Sequence, residues 1–309
     1  PRQICKAKPM DIFFQQLVNG LTIGSIFALV ALGYTMVYGI MKLINFAHGD
    51  LVAMAAFVGL TVYDRFLGPD TNSIVSLILI FVSTGIIIAF AGILLERIAY
   101  KPLRTAPRLS AVVSALGASL VIQNGIMLMW GPRMRFFPTD ILPSTTWNIG
   151  GIYLSFIQVS ILILSVIIMV GLIFFIDKTR VGAAIRATSL DHDASKLMGI
   201  NVNSIITLVF IIGTFLGAVG GLFIGLYYKG ITFNMGWNYG LYAFVAAIIG
   251  GIGNIPGAMV GGILLGVFKA LIAGYISSVW ADALTFVLLI GILVVRPTGI
   301  MGERVAEKV

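Results

Sequence analysis

Long apolar runs with few polar interruptions dominate the chain, and their lengths predict its elements. The runs over 17–39, 74–95, 109–130, 152–176 and 204–228 each meet the length of about 20 mainly apolar residues that a helix needs to cross a bilayer. Residues 77–95, LILIFVSTGIIIAFAGILL, show no alternation of period two, so helices are expected rather than the alternating strands of a transmembrane barrel. Small residues recur every fourth position in two runs: Gly20, Gly24 and Ala28 in the first, and Gly213, Gly217, Gly221 and Gly225 in 204–228. That spacing places them on one helical face, where another helix can approach closely.

Two stretches break this pattern. In INFAHGDLVAMAAFVGLTVY only 51–63 is continuously apolar, too short to cross comfortably, so a broken or re-entrant helix is expected near 40–62. A second is expected near 241–275, where AFVAAIIGGIGNIPGAMVGGILLGVF divides around Gly250, Gly251, Gly253, Asn254, Pro256 and Gly257. Pro256 deletes a backbone donor and disfavours helix before it. The fold expected is all-α and polytopic, with about eight apolar segments in a single membrane domain over 10–309 and a non-core extension over 1–9. Backbone groups freed within a membrane are tolerated only where protein or a water-lined cavity satisfies them, and paired interruptions in two halves of a chain point to a substrate pathway. The expected pathway therefore runs between Asn45, His48 and Gly49 on one side and Gly253, Asn254 and Pro256 on the other. The first three share a face if helical. An ordinary proline kink plus an interfacial turn is the structural alternative, and His48 capping a helix or bonding a neighbouring loop is the alternative for that residue.

The long polar interruption in the second half, 177–203 (DKTRVGAAIRATSLDHDASKLMGINVN), changes the picture. Its acids Asp177, Asp191 and Asp193 offset Lys178, Arg180, Arg186 and Lys196, which argues against simple attraction to anionic lipid. It is rich in helix formers, and Thr188 or Ser189 is placed to cap a short second helix starting near Leu190. Such a segment has the shape of a docking element; a solvated loop with no partner is the competing reading.

Composition supports membrane residence: 59% of the 309 residues are hydrophobic and 10% charged, against roughly 25% charged in a soluble chain. The formal charge of +8 reports orientation rather than a nucleic-acid partner. Arg97, Lys101, Arg104 and Arg108, the four bases of 177–203, and Arg296, Arg304 and Lys308 belong on the cytoplasmic side, while Arg65, Arg133, Arg135 and Lys229 fall in the alternate loops. If the short piece at 51–63 crosses, the N-terminus is outside; if it re-enters, inside, which Arg2, Lys6 and Lys8 weakly favour. Residues before Met10 lack the apolar core of a signal segment. Pro132, Pro138 and Pro143 mark an external loop, with Trp130 and Trp147 suited to the interface.

Candidate chemistry is sparse. No Gly-Lys-Ser/Thr is present for a phosphate-cradling loop, and no His-Glu-x-x-His for a metal. Cys5 is alone, so no intrachain disulfide forms, and the only histidines are His48 and His192. Nothing amounts to a catalytic constellation. Asp50 and Asp282 sit at segment ends and no acid lies mid-span, which counts against an ion-coupled carrier. Lys269, in GVFKALIAGYI, either snorkels to an interface or faces a protein partner.

LGYTMVYGIMKLINFAHGD, ERIAYKPLR, RATSLDHDASKLMGIN, GGIGNIPGAMVGG and RPTGIMG, in this order, resemble the permease subunits of bacterial branched-chain amino-acid ABC importers over nearly the full length from Met10. The resemblance implies a multi-pass protein of the bacterial inner membrane, surrounded by lipid, with a second permease subunit, two cytoplasmic ATPases and an extracytoplasmic solute-binding protein. ATP would be used by those partners, so the chain itself would need no cofactor. The resemblance also implies that 177–203 docks into the ATPases, with Ala187, Asp191, Ala194 and Gly199 on the family's docking pattern; Arg186 and Asp193, from the charge-balanced loop, join them as expected coupling residues. Urea and short-amide importers share the NFAHG-like segment, so they stand as the alternative substrate class. A self-sufficient channel or carrier stands as the alternative from a different class.

Overall fold

A computed structural model describes residues 9–67, 73–104, 106–138, 141, 143 and 145–302. Arg2, Cys5, Lys6 and Lys8 of the expected extension, and Arg304 and Lys308, lie outside the described residues. The chain forms α1 (Pro9–Met41), α2 (His48–Val62, continued by a π-helical turn Tyr63–Leu67), α3 (Ser73–Leu95), α4 (Arg108–Trp130), β1 (Arg135–Phe136), β2 (Thr146–Ile149), β3 (Ile152–Ser155) and α5 (Phe156–Lys178). There follow α6 (Arg180–Leu190), α7 (His192–Leu197), α8 (Val202–Tyr228), β4 (Gly230–Ile231), α9 (Met235–Gly250), α10 (Ile255–Tyr275) and α11 (Ser278–Val295). Among the described residues, seven helices are long and apolar enough to cross a membrane: α1, α3, α4, α5, α8, α10 and α11. The 15-residue α2 and 16-residue α9 are the two short ones, each following a break.

The small-residue faces set which helices form the centre. A methyl added to Gly20 would meet the Val267 backbone, one on Gly24 would meet Ile263, and one on Gly262 would meet Ala28, so α1 and α10 lie backbone to backbone. The glycine stripe of α8 does the same work along a different line: Gly213 faces Gly33, Gly217 faces His48, Gly221 faces the Val52 carbonyl and Gly225 faces the Phe137 ring. Helices α1, α2, α8, α9 and α10 thus form a tightly packed middle. The outer helices keep apolar side chains on the surface, among them Ile86 on α3, Val121 on α4, Ile167 on α5 and Val287 on α11.

The cytoplasmic side follows from where the basic clusters meet. Arg104 reaches both Glu96 and Asn203, His192 bonds the Ile40 carbonyl, Gly253 adjoins Tyr38 and Gly39, and the amides of Ile300 and Met301 bond Ile249 and Gly250. The described parts of all three basic clusters therefore share one face, as the positive-inside rule expects. The opposite face carries Arg135 in β1, paired with β4 just after Lys229, and the β2–β3 hairpin. There the Gln15 side chain exchanges two hydrogen bonds with Tyr153, so the described start of α1 lies on the outer side.

One expectation is corrected in the cytoplasmic segment. Thr188 and Ser189 do not cap a second helix, because α6 continues through Leu190 and their hydroxyls turn back to the Ala184 and Arg186 carbonyls, as hydroxyls within a helix do. Asp191 is the cap instead, accepting from the Asp193 and Ala194 amides at 2.8 and 3.0 Å.

The helix breaks reveal an internal repeat. Among the described residues, the two non-glycine residues with positive φ are Lys42 (53°) and Lys229 (60°). Each directly follows a long helix, and each opens the same pattern, Lys-x-Ile-x-Phe-x-x-Gly: Lys42, Ile44, Phe46, Gly49 and Lys229, Ile231, Phe233, Gly236. A short helix starts at the same place in both copies, at His48 and at Met235. Lys42 lies on the cytoplasmic side and Lys229 on the outer side, so the two copies have inverted topology. The counterpart of the break near Asn45 is therefore 229–234; Gly251–Asn254 is the turn joining α9 to α10.

Candidate functional site

The two short helices begin where the repeats meet. A methyl on Gly49 would fall 2.4 Å from the Gly236 carbonyl oxygen, and one on Gly236 would fall 2.6 Å from that of Gly49. Ser119 fixes the depth: it lies midway along α4, about 16 Å from either end, and its hydroxyl donates to Asp50 in the first turn of α2. His48 packs between Gly33 and Gly217, with Tyr34 edge-on at 4.7 Å between ring centroids. Gly33 is eight residues before the end of α1, about 12 Å of helix. The chain thus reaches the cytoplasmic side at Met41, climbs back without helix over 42–47, and runs outward as α2 from the membrane centre. The short piece completes the crossing; its unwound part is exposed at Lys42 on the cytoplasmic side and buried at Asn45 and Ala47, where protein surrounds it as membrane burial demands.

This geometry corrects the expectation that no acid lies mid-span. Asp50 stands near a segment end in the sequence but at the centre of the fold, buried at 2% exposure. An isolated carboxylate at such a depth is costly by several kcal/mol. Here Ser119 donates to one oxygen, while the other, Oδ1, has no hydrogen-bond partner and lies against Gly236 at the start of α9. The positive ends of the α2 and α9 dipoles both converge on it. No sequence signal except the repeated pattern would have found this arrangement.

The other expected pathway residues separate into two groups. Asn45 is buried within the break and accepts from the Tyr100 hydroxyl at 2.9 Å; it is not on the α2 helix, so it shares no helical face with His48 and Gly49. Gly253, Asn254 and Pro256 lie at the cytoplasmic turn. Asn254 caps α10 by accepting from the Gly257 amide at 2.8 Å, and its amide donates to the Met301 carbonyl at 2.9 Å. Pro256 occupies the first turn of α10, where a missing donor costs nothing.

In the cytoplasmic segment Arg186 turns back to the Ile176 carbonyl and lies 3.9 Å from Asp177, placing a cation at the C-terminus of α5. The Ala187 carbonyl accepts from the Asp191 amide, joining α6 to α7. Asp193 pairs with Lys196 at 2.9 Å on the surface, Ala194 supplies an amide to the Asp191 cap, and Gly199, at φ 81°, closes α7 in a conformation that favours glycine. Leu190, Leu197 and Met198 are more than 80% exposed around these turns. The His192 ring, whose Nε2–H donates to the Ile40 carbonyl at 3.1 Å, ties this segment to the end of α1 just before the inner break. A cleft of about 540 Å³ between Lys42, Arg104 and Asp191 flanks that link.

Lys269 neither snorkels nor waits for a partner chain. Its ammonium is 2.9 Å from Asp282 on α11 and 3.4 Å from the centroid of the Tyr242 ring on α9, so an ion pair and a cation–π contact hold three helices together.

Comparison with known proteins finds transport permeases over nearly the whole chain. The family described as "Branched-chain amino acid transport system / permease component" matches residues 16–293. BraD of Pseudomonas aeruginosa, a high-affinity branched-chain amino acid transport system permease protein, is 41% identical over 302 residues, covering 96% of this chain and 98% of that one. LivH of Escherichia coli, of the same description, is 40% identical over 304 residues with the same coverage. A probable branched-chain amino acid transport permease protein LivH of Methanocaldococcus jannaschii is 27% identical over 310 residues, 94% of each chain.

Proposed function

The chain belongs to the permease components of branched-chain amino acid transport systems, and we propose that it carries leucine, isoleucine and valine across a bacterial inner membrane. In this reading residues 10–309 form one permease domain that works beside a second permease. Two cytoplasmic ATPases supply the motion, and an extracytoplasmic binding protein delivers the solute. The observation that carries the reading is the nearly full-length match to permeases named for that transport. The lack of a phosphate-cradling loop in the sequence supports the assignment of ATP to the partners.

The cytoplasmic segment is the proposed ATPase contact. Arg186, Ala187, Asp191, Asp193, Ala194 and Gly199 shape two short helices, and the exposed Leu190, Leu197 and Met198 supply an apolar face for a partner. Motion received there passes through His192 to the end of α1 and the break before His48 and Gly49, which sits beside the proposed solute path. Gly253, Asn254 and Pro256 belong at its cytoplasmic end.

The test is uptake by the complete complex in proteoliposomes, with labelled leucine, isoleucine, valine and urea. Uptake of the three amino acids that requires both ATP and the binding protein is the expected result. Uptake of urea alone, or ion-driven uptake by this chain without partners, overturns the proposal.

A further inference from the structure

A cavity of about 490 Å³ opens on the surface between the middle of α4 and the start of α9, lined by Leu116, Ser119, Leu120, Gln123, Asn234, Trp237 and Asn238. Its volume falls within the about 300–1,000 Å³ of small-molecule sites. Its depth is that of Ser119, the membrane centre, where hydrocarbon cannot satisfy an exposed amide. Asn234 and Asn238 are nevertheless exposed and Gln123 is half-buried. Polar groups at that depth need water or protein against them.

Three features give the cavity polarity. At its inner wall Ser119 stands directly in front of Asp50, whose Oδ1 is buried and has no hydrogen-bond partner. At its outer wall Asn234 precedes α9 as the cap residue, yet its side chain makes no capping bond, while the Met235 amide donates to the Thr232 carbonyl at 3.1 Å, so it is the Asn234 carboxamide that is free to meet an anion. Leu116, Leu120 and the half-exposed Trp237 supply apolar surface between these poles.

We propose that this cavity is a transit site for a zwitterionic amino acid, with the ammonium directed to the Ser119 oxygen, whose hydroxyl proton is held by Asp50 behind it, and the carboxylate to the carboxamides of Gln123, Asn234 and Asn238. The apolar side chain lies along Leu116, Leu120 and Trp237. The proposal rests on the transport reading above and moves the solute-facing surface from the breaks themselves to the wall that they shape. No Lys or Arg lines the cavity, so the carboxylate is met by neutral donors, which suits a site that must also release its solute.

Cysteine labelling of the intact complex in membranes tests it, with Cys5→Ser as the background. Gln123→Cys and Asn238→Cys are treated with a small cationic aqueous thiol reagent, and Ile167→Cys, exposed halfway along α5, is the lipid-facing control. The cavity positions are expected to react about tenfold faster or more than the control, as water-lined positions do relative to lipid-facing ones, and to slow when solute-loaded binding protein and ATP are supplied. Gln123→Leu and Asn238→Leu should lower leucine transported per ATP hydrolysed while hydrolysis continues. Reaction no faster than at Ile167→Cys, or unchanged by solute, overturns the site. If the wild-type complex carries leucine while labelling fails, only this proposal falls; if the wild-type complex carries no amino acid, the transport reading falls.

Discussion

The inner break over 42–47 and the outer break over 229–234 answer the same structural problem with the same residues, and they are held in different ways. Each follows a long helix that ends at a left-handed lysine, each restarts a helix near the membrane centre, and their glycines, Gly49 and Gly236, touch. The outer break is pinned by backbone. Arg135 and Phe136 pair with Ile231 and Gly230, and the Phe137 amide bonds the Lys229 carbonyl at 2.8 Å. No strand pairs with the inner break; besides its own local turns, with the Lys42 amide on the Tyr38 carbonyl and the His48 amide on the Asn45 carbonyl, the hydrogen bonds that tie it to other elements come from side chains, Tyr100 to Asn45 and His192 to the Ile40 carbonyl just before it. A backbone ladder resists motion, whereas a few side-chain bonds yield to it. On that difference the inner break is expected to yield when the cytoplasmic segment is pushed, and the outer one to hold.

The largest effect is expected where the copies meet. Gly49→Val and Gly236→Val each drive a branched side chain into the opposing backbone, with even the first carbon at 2.4 and 2.6 Å from a carbonyl oxygen. Backbone cannot swing aside as a side chain does, so each should cost about 3 kcal/mol or more. Yield of monodisperse protein and thermal midpoint in detergent are the measurements. Near-wild-type stability of either variant would mean that the two breaks do not share one contact.

A smaller effect, confined to function, is expected at the inner anchor. His192→Ala removes the bond to Ile40 without disturbing the cap at Asp191 or the packing of α8. ATPase pulldown and protein yield should hold, while solute moved per ATP falls about five- to tenfold, the range of a modest coupling energy. Loss of pulldown along with transport would assign His192 to docking instead. Unchanged transport would show that the inner break is driven from elsewhere, such as the Arg104, Glu96 and Asn203 cluster.

The helices themselves were legible because run length and four-residue spacing of small residues act locally, and each glycine face read from the sequence found a helix against it. The break near Asn45 and the split around Gly253 were legible for the same reason, since Gly, Pro and short apolar length are local signals. Pairing those two with each other was not correct. Asn254 and Pro256 give the loudest signal, but it is that of a capped turn, while the true counterpart at Lys229 hides inside aromatic and apolar sequence, YYKGITFNMGW. Only the aligned Lys, Ile, Phe and Gly positions expose it. Depth was the second blind spot: Asp50 looks terminal along the chain, and only the climb over 42–47 carries it to the level of Ser119. The cavity at Gln123 and Asn238 joins elements more than a hundred residues apart, which periodicity cannot register.

The smallest effect tests whether the two lysines are equivalent. A side chain in the left-handed region costs about 1–2 kcal/mol relative to glycine, so lysine at φ 53° and 60° needs an offsetting gain. Both lysines are exposed at the C-terminus of a long helix, where a cation is favoured by about 0.3–1 kcal/mol. Glycine at either position relieves the backbone cost, loses the charge, and adds about 0.5–1 kcal/mol of chain entropy to be overcome. Glutamine loses the charge and keeps the strain. At both positions the order expected is therefore glycine at or slightly above lysine, with glutamine lowest. The spread is about 1 kcal/mol, which corresponds to roughly 2–4 °C in the thermal midpoint. If Lys229 follows this order and Lys42 does not, the inner break relaxes its backbone in solution and the outer one does not. If both follow it, the breaks are equally rigid at rest and differ only when the cytoplasmic segment is pushed.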